Sequence, residues 1–89
     1  MAVKATRRNR ASNRISRNPR ILGGEPVVRG TRVPVRAIVL AHRIYPEAVR
    51  VLEAFPMLTP EDIDEALVFY RANQEEIDRY IAENDTDAA

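Results

Sequence analysis

The spacing of apolar residues changes twice along this chain, and each change marks a boundary. Residues 1–13 hold little that is apolar beyond alanine. Burial there cannot offset the entropy of ordering, so a disordered arm is expected. From Ile15 the apolar residues gather in short runs between breakers. Asn18-Pro19 and Gly23-Gly24 leave room only for brief extended pieces such as Arg20-Ile21-Leu22. Pro26-Val27-Val28 and Thr31-Arg32-Val33-Pro34-Val35 then flank a turn at Arg29-Gly30, which reads as a small hairpin within residues 20–35. Pro26 and Pro34 each remove a ladder donor, so the strands belong at an edge.

Beyond Val35 the period becomes helical. Arg36 to Arg43 carries Ile38, Val39 and Ala41 with few breakers. Pro46 suits the first turn of a second helix, with Val49, Leu52 and Phe55 as its apolar set and Pro56 as its stop. Thr59-Pro60-Glu61-Asp62 is a strong helix start: an N-cap, a proline at the first position, then acids at the positive end. Ile63, Ala66, Leu67 and Tyr70 follow at helical spacing. Asn73 and Glu76 stand three apart, as in a capping box, which signals either a new helix from Gln74 or a bend in one long helix. Ile77, Tyr80 and Ile81 form a last narrow stripe, and residues 85–89 should fray. The expected fold is mainly α: a small N-terminal β-hairpin, then a helix-turn-helix-like (homeodomain-like) bundle of three to four short helices. It forms a single domain over residues 14–84, with helices over 36–84.

Charge sharpens this outline. Residues 1–50 carry one Lys and eleven Arg against two acids, a net +10; residues 51–89 carry two Arg against eleven acids, a net −9. The formal +1 of the whole chain hides this dipole. An Arg-rich half attracts phosphate or a carboxylate-lined cleft, and an acidic half repels both. The two halves should therefore meet different partners, or each other.

Several classes of function find no support. There is no Cys, and with it no disulfide framework or Cys-ligated zinc. No run of about 18 apolar residues offers a membrane span. The first twenty residues lack the apolar centre of a secretory signal, so a cytoplasmic bacterial protein is expected. With one His and two Ser, no nucleophile–base set is evident, and His42 reads as a surface residue at a helix end. Glu61, Asp62, Asp64 and Glu65 point in several directions on one helix and read as a solvated acidic surface, not a cation site. The expectation is no enzyme activity, no metal and no cofactor.

The candidates that remain are cationic and apolar. Arg7, Arg8, Arg10, Arg14 and Arg17 resemble a nucleic-acid-binding tail, or else a solvated terminus. Arg29 and Arg32 flank the hairpin turn and Arg36 opens a helix; they suit phosphate contact or bidentate clamping of carboxylates, or else guard an edge strand. Four acids on the helix after Pro60 would repel phosphate, so DNA contact should fall to the arm and hairpin, including Arg29 and Arg32. Ile77, Tyr80 and Ile81 are either core or a docking face for a partner groove.

The run Ile21-Leu22-Gly23-Gly24-Glu25-Pro26-Val27-Val28-Arg29-Gly30-Thr31-Arg32-Val33-Pro34-Val35 resembles the signature of the bacterial domain-of-unknown-function family 433. The resemblance continues through Leu52-Glu53, Phe55-Pro56, Leu58-Thr59, Glu61-Asp62-Ile63, Ala66-Leu67 and Glu75-Glu76-Ile77-Asp78, over residues 15–82. Where the family has Gly then Ser-Pro before the second helix, this chain has Ile44-Tyr45-Pro46, and the Ser cap is lost. The resemblance implies a VapB-like antitoxin of a type II toxin–antitoxin system, partnered by a PIN-like ribonuclease toxin and able to bind operator DNA. Arg29, Arg32 and Arg36 would then face the toxin's carboxylates and Ile77, Tyr80 and Ile81 its surface, in a homodimer or a toxin–antitoxin hetero-oligomer. The rival readings are a stand-alone DNA-binding regulator and a structural module that pairs unlike-charged halves of two copies.

Overall fold

Val27 and Val28 occupy the centre of a small β arrangement with partners on both sides. The computed structural model describes residues 13–88. Strand β1 (Ile15–Ser16) runs antiparallel to β2 (Val27–Val28), pairing Ile15 with Val28 and Ser16 with Val27. On the other side Val27 bridges to Pro34, and the Val28 N–H donates to the Val33 carbonyl at 2.9 Å. The expected small N-terminal antiparallel pair is present, but its regular pairing joins 15–16 to 27–28, and within 20–35 the chain closes through the Val27–Pro34 bridge and its flanking hydrogen bonds. Pro34 supplies a carbonyl but no N–H, which keeps its segment from extending the ladder.

Two turns make this possible. Asn18 Oδ1 accepts the Arg20 N–H, and residues 22–24 form a single 3-10 turn instead of the extended piece expected at 20–22. Leu22, unusually for a branched side chain, sits at φ +51° there. The second turn joins Val28 to Val33. Gly30 lies at φ +82°, a conformation that disfavours any side chain. Thr31 closes the turn twice: its hydroxyl donates to the Val28 carbonyl (2.9 Å) and accepts the Val33 N–H (3.0 Å).

Four helices follow: α1 (Val35–Ile44), α2 (Ala48–Ala54), α3 (Pro60–Ala72) and α4 (Gln74–Ala88). Helix α1 buries Val35, Ile38 and Val39 and lies chiefly against α3. Helix α2 starts later than predicted. Its N-cap is Glu47, no side chain caps it, and Pro46 stands outside it. It buries Val51, while Val49, expected on its apolar side, is 60% exposed. Helix α3 begins as predicted from Thr59, whose hydroxyl accepts the Asp62 N–H (3.1 Å) while Asp62 Oδ2 accepts the Thr59 N–H (2.9 Å). Such reciprocal caps stabilise a helix by about 1 kcal/mol.

The chain breaks between α3 and α4 at Asn73, whose Nδ2 donates to the Phe69 carbonyl. Helix α4 continues to Ala88, past the residue 84 at which the domain was expected to end. It is part of the core, because Ile77 is fully buried among residues that include Ile38, Ile63 and Phe69. Among the described residues no helix is long and apolar enough to cross a membrane.

Candidate interaction surface

The two charged halves of the sequence meet within the chain. Strand β1 and its flanks lie across α3, which brings Arg14 to Asp62 (3.1 Å) and Glu65 (3.6 Å). Arg17 grips Glu76 of α4 in a bidentate fork, with Nη2 to Oε1 at 3.0 Å, and lies over the Phe69 ring, 5.5 Å from its centre. The donated hydrogen bonds hold the Glu76 carboxyl below its ordinary pKa and raise that of Arg17; partial burial opposes both shifts. Arg14 and Arg17, expected to contact nucleic acid, are paired here with this chain's own carboxylates. Arg7, Arg8 and Arg10 lie outside the described residues.

Two further cations are held in the same way. Arg36 Nε sits 2.6 Å from Glu25 Oε2, and both side chains are largely buried. The N–H is not aligned on that oxygen, so the contact is one of charge more than of hydrogen bonding. Arg36, expected to bind a partner, is thus engaged with Glu25. Arg43 donates to the Tyr70 hydroxyl (3.1 Å), which donates to Asp78 (2.8 Å) and so ties α1, α3 and α4 together.

The turn that follows β2 differs. Arg29 donates Nε to the Asn13 carbonyl (2.8 Å), which points its guanidinium along the surface without an acidic partner among the described residues. Arg32 is exposed and makes no ion pair or hydrogen bond among them. Both sit on a backbone fixed by Gly30 and Thr31, and the Arg29 N–H bonds the Arg14 carbonyl (2.7 Å). These two candidates stand together on one hydrogen-bonded turn, with no acidic partner among the described residues.

The C-terminal stripe divides. Ile77 is fully buried, so its expected docking role is corrected: Ile77 completes this chain's own core. Tyr80 and Ile81 are half-buried against that core and keep only their outer edges. The acids of α3 form, with Arg14 and Val68, a shallow concavity of about 330 Å³ lined by Glu61, Asp64 and Glu65. Among the described residues no three His, Cys, Asp or Glu side chains converge as metal ligands.

A two-strand antiparallel pair with an Arg-bearing turn, backed by four helices, makes up the described fold. The family described as a protein of unknown function (DUF433) matches residues 15–70, and the chain belongs to it. The crystal structure of a DUF433 member from Anabaena variabilis superposes with a TM-score of 0.73 at 32% identity, covering 91% of this chain and 80% of that one. The uncharacterized protein y4eO of Sinorhizobium fredii is 44% identical over 59 residues, which are 66% of this chain. The match spans only 27% of that relative's length.

Proposed function

We propose that this chain acts as an antitoxin: it binds a PIN-like ribonuclease and blocks its carboxylate-lined site with the Arg29–Arg32 turn. One observation carries this reading. Arg14, Arg17, Arg36 and Arg43 are committed to own-chain acids or a tyrosine, whereas Arg29 and Arg32 share an exposed turn without an acidic partner among the described residues. A guanidinium presented in this way matches a carboxylate bidentately. In a metal-dependent nuclease it would compete both with the metal and with RNA phosphate. The chain itself is proposed to catalyse nothing, since its single His is half-buried and no nucleophile is paired with it among the described residues.

The same two cations favour a second reading, contact with operator DNA through the turn. The outward acids of α3 oppose a large footprint on phosphate. The two readings separate in one experiment. A small PIN-type ribonuclease encoded beside this chain is assayed on RNA with wild-type protein and with the Arg29→Glu/Arg32→Glu variant. Inhibition by the wild type, lost in the variant while its thermal melt is unchanged, supports the antitoxin reading. Full ribonuclease activity at excess wild-type chain, together with salt-sensitive binding of duplex DNA, refutes it in favour of the second.

A further inference from the structure

The outer face of α1 has no charge on it. The polar residues of this helix all turn inward or sideways: Arg36 to Glu25, Arg43 to Tyr70 and Asp78, and His42 half-buried. The remaining arc is Ala37, Leu40 and Ile44, with Ala41 beside it packed in part against this chain's own core, at the spacing that places residues on one side of a helix. Leu40 is 37% and Ile44 67% exposed, and the chain continues into Tyr45 (41%) and Val49 (60%) at the start of α2. A helix on the surface of a monomer normally carries charge outward, and a contiguous exposed apolar patch marks an interaction site.

We infer that a second copy of this chain covers this face, through a two-fold interface built on Leu40, Ile44, Tyr45 and Val49. The rim indicates the occupant. Helix α2 and its cap carry Glu47, Arg50 and Glu53, all exposed and none ion-paired among the described residues. Arg50 lies over the Tyr45 ring, 5.9 Å from its centre, which places this rim beside the apolar face. A rim of one sign would call for a partner of the other. A rim with both signs matches itself, because a two-fold axis brings each residue's counterpart within reach. Ile44 also lies about 12 Å along the helix axis from Arg36, at the end away from the Arg29–Arg32 turn, so pairing leaves that turn open. The inference is independent of the antitoxin reading.

The test is sedimentation equilibrium of the full chain. At about 100 µM the wild type is expected to be mostly dimeric, as suits an interface at the small end of the specific range. Ile44→Lys and Val49→Asp each place charge where the local helix terminus favours it, so the fold should survive. Each should weaken dimerisation about tenfold or more with an unchanged thermal melt. Arg50→Glu makes the rim wholly acidic and Glu47→Arg/Glu53→Arg makes it wholly basic. Each alone should dimerise less than the wild type, and an equimolar mixture should recover the dimer. A monomeric wild type, dimers that persist in both apolar-face variants, or a mixture that fails to recover would each overturn the inference.

Discussion

The segment 14–17 and the turn 29–32 each present two arginines, and they use them in opposite ways. Arg14 and Arg17 reach across 48 and 59 residues of sequence to Asp62 and Glu76, and so fasten the N-terminal strand to α3 and α4. Arg29 and Arg32 meet no carboxylate among the described residues; Thr31 closes the turn, and the Arg29 side chain adds one bond to the Asn13 carbonyl. The two regions touch at the backbone, where the Arg29 N–H bonds the Arg14 carbonyl. Residue type therefore does not decide whether a cation is structural or available. What decides it is whether the topology lays an acidic helix beneath it.

The largest expected effect tests the platform on which the first pair acts. Ile77→Ala should cost the isolated chain about 3 kcal/mol in urea unfolding, because it opens a cavity where α4 meets the core. A loss below about 1 kcal/mol would return α4 to the role of a loosely attached docking helix. Next comes Asp62, whose Oδ2 caps α3 while its Oδ1 takes Arg14. Asp62→Ala should cost about 1.5 kcal/mol by removing both.

Arg29→Glu/Arg32→Glu should sharpen the contrast from the other side. Unfolding should move by less than about 0.5 kcal/mol, while affinity for an acidic partner site falls about tenfold or more. A stability loss matching that of Asp62→Ala would make the turn structural too. The smallest effect concerns acid. Glu76 has its pKa lowered in the folded state, so its pairing with Arg17 contributes fully above the ordinary carboxylate value of about 4.3. That contribution is lost as pH falls through the lower, folded value. The stability difference between wild type and Arg17→Ala should be constant above about pH 5 and shrink below it.

The helical part of this fold was readable because its signals are local. Thr59, Pro60 and Asp62 name a helix start within four residues, and the α3–α4 junction at Asn73 followed from a capping-box spacing even though Asn73 bonds backward to Phe69. The β part was not readable in the same way. Two-residue strands have no period, and the partner of Val27–Val28 lies twelve residues upstream in a segment that reads as loop. Val49 fits an apolar helical pattern as well as Leu52 does, but Val51 is the residue that is fully buried, and Val49 lies about 200° from it round the helix. Ile77 belonged to a stripe whose cover could be this chain or another, and periodicity cannot distinguish them. The segregation of charge indicated that the halves could meet, but not which arginines would be consumed. Arg36 and Glu25 are eleven residues apart and close only because the Gly30 turn folds the segment back.

The central claim is that Arg14, Arg17 and Arg36 are paired with this chain's own acids, whereas the Arg29–Arg32 turn meets no carboxylate among the described residues. The most direct measurement is a double-mutant cycle on Arg17 and Glu76, with Arg17→Ala, Glu76→Ala and the double variant followed by urea unfolding at neutral pH and low salt. A coupling of about 0.5–1 kcal/mol that fades below pH 4 is expected for a partly exposed bidentate pair. A coupling within about 0.2 kcal/mol of zero would contradict it and would leave Arg17 as available to a partner as Arg32.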